Sequence, residues 1–494
     1  MNRLPYTFSL VVVASAAMLA DSHSIPAPYF GQHVGAVVAD LNNDGAPDLL
    51  FGAGRHWVDQ SYALINLGAE TNEKGGFKKV RFSGAVPLGP PGGYYQIDVM
   101  PSSSGGDEST HTKVLLVGGT CHIDKPNSLG SCKKGENTPA RLLHVSPNEN
   151  GCSIHNPEAE CDFTWELMWE HPDPKGDRNG GFATFNGQTS IVLTGQGGVE
   201  IFQLDQASNS NHQPNGEESA VHYAPAFHLE PPEKTDPRSD YSRYAGFAAG
   251  NVGSLGGVVA CGRRSDYDEP QLDEDDNVVS INKIIYESES TFESIALQAS
   301  GEPYPGDEEY SLQSTNYHFS DIDGDGVDDL IEATFLYAQQ RVKGYPLPQR
   351  IHFLNEDGSV KGTSVLLEIG EGGAGRSATS GNIYHDSALP DVVFASAEGR
   401  VYLFANRGTD HAGNFLGLEK RDEFALGTDD CQIRDVEVAE FSPDVAGVVC
   451  AVTCKNLKER GGNHIFYIDR HARISAFSNS ELQWEHPQNK IDLF

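Results

Sequence analysis

Basic residues are scarce in this chain. Its 494 residues include 35 Lys and Arg against 70 Asp and Glu, a formal net charge of −35 with histidine neutral. That balance argues against non-specific nucleic-acid binding, which needs a basic surface, and against docking on anionic membranes. Long apolar runs are lacking too. After residue 20 no stretch reaches the roughly 18 apolar residues that make a membrane helix, and the polar C-terminal region carries no lipid-anchor signal. No Asn-x-Ser/Thr sequon occurs, so N-glycosylation is not expected. Also missing are a serine-nucleophile elbow, a zinc-spaced histidine pair and a phosphate-cradling glycine loop.

What is there begins with the amino terminus. Arg3 followed by the apolar run 8–20 has the form of a secretory signal, with small residues at Ala17 and Ala20 suited to cleavage. Residues 1–20 are expected to be a signal peptide and 21–494 a soluble, secreted single domain. Eight cysteines suit an oxidising compartment. Cys121/Cys132 and Cys152/Cys161 each bracket a short polar loop, and Cys431/Cys454 can face each other across a hairpin, leaving Cys261 and Cys450. Spacing alone leaves the connectivity open. Cys450-x-x-x-Cys454 has neither redox nor zinc spacing.

Two acidic ladders carry the most chemistry. One runs Asp40-Leu41-Asn42-Asn43-Asp44-Gly45-Ala46-Pro47-Asp48, the other Asp321-Ile322-Asp323-Gly324-Asp325-Gly326-Val327-Asp328-Asp329. Each puts oxygen side chains at positions 1, 3, 5 and 9, a carbonyl at 7 and a glycine at 6, the way a chain wraps Ca²⁺. Carboxylates this close repel one another without a cation. The second ladder has Glu332 at position 12 and so meets the short EF-hand pattern. The flanks point elsewhere. No helical apolar stripe precedes it, position 8 is Asp328 where an EF-hand has an apolar residue, and the first ladder has Phe51 at position 12. Apolar residues start directly after position 9 in both, which predicts strand, metal-bound turn, strand.

The apolar triplet after the first ladder recurs. Leu49-Leu50-Phe51, Val114-Leu115-Leu116, Ile191-Val192-Leu193, Val258-Val259-Ala260, Leu330-Ile331, Val392-Val393-Phe394 and Val448-Val449-Cys450 follow one another at intervals of 56 to 77 residues. Candidate inner strands precede them (34–38, 181–185, 435–441). Third strands follow (62–65, 199–202, 351–354, 401–404, 465–468), and fourth strands close the units (77–82, 164–170). Glu166-Leu167-Met168-Trp169-Glu170-His171-Pro172 returns almost unchanged as Glu481-Leu482-Gln483-Trp484-Glu485-His486-Pro487, so the last unit is expected to end there. His171 and His486, at these matched strand ends, read as packing residues. The fold class is therefore all-β. A seven-bladed β-propeller of four-stranded antiparallel blades is expected, at 30–83, 93–170, 180–229, 244–298, 315–368, 376–425 and 430–487.

Residues 30–52, Phe-Gly-Gln-His-Val-Gly-Ala-Val-Val-Ala-Asp-Leu-Asn-Asn-Asp-Gly-Ala-Pro-Asp-Leu-Leu-Phe-Gly, resemble the FG-GAP (or VCBS) repeat of the integrin α-subunit head and of many secreted propellers. Residues 318–331 are similar. Leu389-Pro390-Asp391-Val392-Val393 resembles a third copy whose positions 1, 3 and 5 have become Ile383, His385 and Ser387, so no cation is expected there. The resemblance implies two structural Ca²⁺ ions on one face of the disc. Asp40, Asn42, Asp44, Ala46 (carbonyl) and Asp48 would hold one. Asp321, Asp323, Asp325, Val327 (carbonyl) and Asp329 would hold the other. It further implies a ligand on the opposite face, where the strand 2–3 loops and the blade-to-blade loops carry Arg55, His56, Trp57, Arg243, Tyr244, Arg263, Arg264 and Tyr267. Arginine forks suit carboxylate or sulfate, and aromatic rings stack on sugars. The expected function is recognition or adhesion by a secreted monomer binding an anionic glycan or protein loop. The alternatives are a propeller enzyme and a structural matrix protein. The enzyme would be a natural-product cyclisation catalyst or a polysaccharide lyase, with Arg55/His56 or Arg243/Tyr244 as cation and base.

Overall fold

The computed structural model describes residues 22–25, 35–52, 59–71, 77–100, 112–119, 135–148, 151–174, 177–204, 223–231, 242–265, 282–297, 313–335, 348–362, 364–369, 375–425, 431–442, 445–454 and 463–469. Every recurring triplet lies in the second strand of a sheet: Asp48–Phe51, Thr112–Gly118, Gln188–Gly195, Gly256–Ser265, Asp329–Phe335, Asp391–Ser396 and Val445–Cys454. Each pairs antiparallel with a first and a third strand, and a fourth completes each of seven four-stranded sheets. The triplets are apolar at consecutive positions because both faces of the second strand are covered. Leu49 and Phe51 pack on Ala439, Val449 and Ile465 of the last sheet, while Leu50 packs on Ile97, Leu116 and Leu143 of the second. The buried core accordingly divides into seven clusters, one between each neighbouring pair of sheets, the last and first included. This is a seven-bladed β-propeller, and the expected fold is the observed one. Among the described residues the only helical element is a 3₁₀ turn, Gly253–Leu255, and no helix is long and apolar enough to cross a membrane.

Two strands differ from expectation. Phe77–Phe82 does not close the first blade. It pairs with Asn66–Thr71 as a separate two-stranded ribbon, and Val86–Gly92 takes the outer position against Asp59–Leu64. That strand reads Val-Pro-Leu-Gly-Pro-Pro-Gly. Proline cannot donate to a ladder and is tolerated only at a sheet edge, which is where this segment lies. The first blade therefore reaches Gly92. In the seventh blade the outer strand is Ser22–Ile25, with Ser22 opposite Phe466 and Ile25 opposite Asn463. Residues 481–487, expected in that role, lie outside the described residues, as do 1–20 and His486.

The cysteines fall as their spacing suggested where they are described. Cys152 and Cys161 form a disulfide, Cys431 is the register partner of Cys454, and Cys261 and Cys450 are free and buried. Cys121 and Cys132 lie outside the described residues. His171 is a packing residue: its ring meets Trp169 and Phe202, Nδ1 accepts from the Asp173 amide, and Nε2 bonds Glu200.

Candidate metal loops and central channel

The two ladders join the first and second strands of blades one and five, Ala36–Ala39 to Asp48–Phe51 and Gln313–Ser320 to Asp329–Phe335. Strands on both flanks decide against an EF-hand. Glu332, the EF-hand's position 12, points into the sheet instead, where its carboxylate meets His352 Nε2 at 2.8 Å, while His352 Nδ1 bonds Ser364 Oγ at 2.7 Å. Asp328 at position 8 is explained as well. Its Oδ2 accepts the amide of Asn251 on blade four at 2.7 Å, tying the loop to the neighbouring blade.

Position 9 acts as a staple. Asp48 Oδ2 accepts the Leu41 amide at 2.9 Å and Oδ1 the Asn66 amide at 2.8 Å. Asp329 does the same with Ile322 at 3.0 Å and Leu354 at 3.0 Å. Each carboxylate thus pins its own loop to the end of the third strand. Burial pushes both carboxyls up to about 7, against the lowering pull of these amide bonds. Asp391 in blade six keeps the staple, accepting from Ile383, Tyr384 and Asn406, although the rest of its ladder is gone. There Ile383 is fully buried, Ser387 bonds Leu389, and Asp386 pairs with Arg421. The staple explains why an aspartate persists where positions 1, 3 and 5 have lost theirs.

Positions 1, 3 and 5 fit a hard cation. Asp321, Asp323 and Asp325 each bring a carboxylate oxygen within 4.8 Å of the others, an oxygen-only donor set of the calcium type. The loop backbone preorganises them. Asp321 accepts from the amides of Gly324, Asp325 and Gly326, Asp323 Oδ1 from that of Asp325, and Asp325 Oδ1 from that of Val327. A positive group already sits at the cluster. Lys361 Nζ lies 3.3 Å from Asp323 Oδ2 and also bonds Asp325 Oδ2. The first loop repeats the pattern: Asp40 accepts from the amides of Asp44 and Gly45, Asn42 Oδ1 from Asp44, and Asp44 Oδ1 from Ala46. Its position 5 is capped differently. Asp44 Oδ2 accepts from Asn42 Nδ2 and from the Ile154 amide of blade two's disulfide loop.

Sequence reasoning missed the polar wall of the central channel. The first strands of all seven blades line a central cavity of about 680 Å³, with Gln96 and Asp98, Asn316 and His318, and Asp435 and Glu437 on its wall. In each pair the polar residues are two apart on one strand, so they share the face turned to the axis. That polar alternation in the inner strands was the available signal. Most of these groups clasp blades together. Asp98 Oδ2 accepts the Phe182 amide of blade three at 2.7 Å, and Asp435 Oδ2 the Ala36 amide of blade one at 3.0 Å. Ser377 Oγ donates to Asp435 Oδ1 at 2.7 Å, and His318 bonds Ser380. Burial raises Asp98 and Asp435 to about 6 against these bonds. Burial, and then the charge of Asp435, pushes Glu437 well above the usual range. Burial lowers His318 to about 4.

The residues expected on the opposite face are only partly placed. Arg55, His56, Trp57 and Tyr267 lie outside the described residues. Arg243 and Arg264 are register partners across the blade-four hairpin, as are Tyr244 and Arg263, at the end away from the strand 1–2 loops. The register therefore brings these four together. Tyr244 itself is 4% exposed and packs with Phe185, Phe247 and Cys261 between blades three and four, so its ring belongs to the core.

No protein-family model matches the sequence, and no curated protein matches it. Solved structures of similar shape include BBS1N in complex with ARL6DN. It is 8% identical with a TM-score of 0.41, covering 93% of this chain and 96% of that one. The α-L-arabinofuranosidase Arb93A from Fusarium graminearum, solved with an iminosugar inhibitor, is 8% identical with a TM-score of 0.41, covering 92% and 99%. Chaetomium thermophilum Sqt1, bound to the N-terminus of ribosomal protein L10, is 12% identical with a TM-score of 0.41, covering 90% and 89%. At such distances the likeness carries nothing about activity.

Proposed function

We propose that this chain is a secreted calcium-binding propeller of the FG-GAP kind that recognises a glycan or protein ligand. The observation that carries the reading is the convergence of Asp321, Asp323 and Asp325 within 4.8 Å in a strand-to-strand turn, in a loop whose hydrogen bonds the first ladder repeats. Bound calcium would neutralise carboxylates that otherwise repel, and so would stiffen two of the seven inner hairpins. The recognition surface is assigned to the opposite end of the disc, where Arg243, Arg263 and Arg264 adjoin in register, with the buried Tyr244 as a core residue beneath them. Protein stripped with a chelator and titrated with calcium in a calorimeter is expected to take up an ion at each ladder and to gain Tm. Absence of both heat and Tm gain sinks the calcium assignment. A glycan array in calcium tests recognition, and the Arg243→Ala/Arg264→Ala double variant is expected to weaken binding of anionic glycans. Release of unsaturated uronate products, followed by ultraviolet absorbance, would instead establish a lyase.

A further inference from the structure

The two ladders differ at one ligand position, and the structure places a compensating charge opposite the difference. Position 3 is Asn42 in the first loop and Asp323 in the second. At positions 1, 3, 5 and 9 the first loop therefore carries three carboxylates and the second four. Lys361 enters the second loop alone. It follows the third strand on the hairpin Phe353 to Lys361, where its amide donates to the Phe353 carbonyl, and its ammonium bonds Asp323 Oδ2 and Asp325 Oδ2. At these four positions, four carboxylates with one ammonium match the first loop's net −3, while the fifth acid of the second loop, Asp328, is turned to the Asn251 amide of blade four. Asp323 and Asp325 each give Oδ1 to a loop amide and Oδ2 to Lys361, so the ammonium takes the carboxylate edge that a cation in the loop would use. In the first loop the equivalent oxygen, Asp44 Oδ2, meets neutral donors, the Ile154 amide and Asn42 Nδ2.

We propose that Lys361 is a tethered cation that holds the fifth-blade loop closed when calcium is absent and competes with calcium for it, making the second ladder the weaker and more readily emptied site. This rests on the calcium reading above and assigns Lys361 a specificity role with no counterpart at the first loop among the described residues. Calcium entering the second loop must displace an ammonium on a flexible stem, which swings out to solvent at the cost of its ion pairs. Calcium entering the first loop displaces, among the described residues, only neutral donors. A competing charge lowers affinity without altering the ligand set, so occupancy of the second loop would follow ambient calcium while the first stays filled.

The experiment titrates calcium by calorimetry into chelator-stripped protein carrying Asp40→Asn, which silences the first loop, with and without Lys361→Met. Lys361→Met is expected to tighten the second site by about tenfold or more and to lower the metal-free Tm. Combining it with Asp323→Asn re-creates the first loop's charge set and is expected to restore that Tm. Affinity within about twofold of the parent overturns the competition. An unchanged metal-free Tm for Lys361→Met in the otherwise native chain overturns the closing role, and that arm needs no calcium. No uptake in the native chain or any variant overturns the calcium assignment itself and the competition with it, whereas uptake with unchanged affinity overturns the competition alone. Lys361→Gln repeats each arm should Lys361→Met fold poorly.

Discussion

The first and second ladders share a skeleton and differ in what covers it. Both staple position 9 to the end of the third strand through two backbone amides, and both fold positions 1 and 5 onto loop amides. The cover of the first comes from the next blade, as peptide groups of a loop closed by Cys152–Cys161. The cover of the second comes from its own blade, as an ammonium. A neutral cover leaves the ladder's charge for a cation to satisfy, whereas a charged cover satisfies part of it in advance. On the calcium proposal, the same turn serves as a permanent clamp or as a responsive one, depending on a residue 36 positions from Asp325 in sequence.

The largest expected effect tests what the ladders share. Asp48→Ala and Asp329→Ala each strand two buried amides, which should cost about 3–5 kcal/mol in denaturant titrations. Similar losses support a common staple, and a difference of several-fold breaks it. Next comes the cover of the first loop. Replacing Cys152 and Cys161 with serine should cost about 2–3 kcal/mol and weaken calcium uptake at Asp40–Asp48 while leaving the second site alone; weakening at both sites would break the comparison.

A pH series isolates the channel from the ladders. Asp98 and Asp435 titrate near 6 in the folded chain, above the ordinary carboxyl value of about 3.9. A raised carboxyl gives stability that is full below the unfolded value and lost as pH rises through the folded one. In calcium-containing buffer the protein should therefore lose stability between pH about 4 and about 6, by on the order of 3 kcal/mol per group. Glu437→Gln removes a neighbouring acid and should flatten part of that slope in pH-dependent melts; an unchanged slope would take Glu437 out of the network. The smallest effect separates the turns. Gly45, at position 6 of the first ladder, and Gly324, at position 4 of the second, both hold positive φ, 85° and 81°. A methyl at Gly45 meets open space, but at Gly324 it comes within 2.9 Å of Leu389 Cδ2. Alanine should cost about 1–2 kcal/mol at either position for backbone strain, and more at Gly324, as read from paired melting curves.

The sequence revealed what both faces of a strand need and hid what edges and axes need. Six apolar triplets and the pair Leu330-Ile331 announced seven second strands because each is covered on both sides. Asp391 announced its hairpin because the staple survives loss of the ladder. Val86–Gly92 stayed hidden because an outermost strand tolerates the prolines that otherwise signal a loop. Ser22–Ile25 is too short and polar to declare itself. The channel acids were legible in principle, since Gln96-x-Asp98, Asn316-x-His318 and Asp435-x-Glu437 repeat a polar spacing of two, but two-residue periodicity on an otherwise apolar strand is easily read as loop polarity. Lys361 gave no local sign at all, because its partner lies across a hairpin.

The pairing of Ser22–Ile25 with Asn463–Asp469 has a temporal consequence. A ribosome emits the first of these segments long before the second exists. Until the final hairpins emerge, blade one presents Leu49 and Phe51 to water, and the nascent disc remains an arc with two sticky ends. Non-local closure of this kind is slow, so the newly made chain passes through a stage in which chaperones and proteases, rather than its own last blade, compete for that exposed flank.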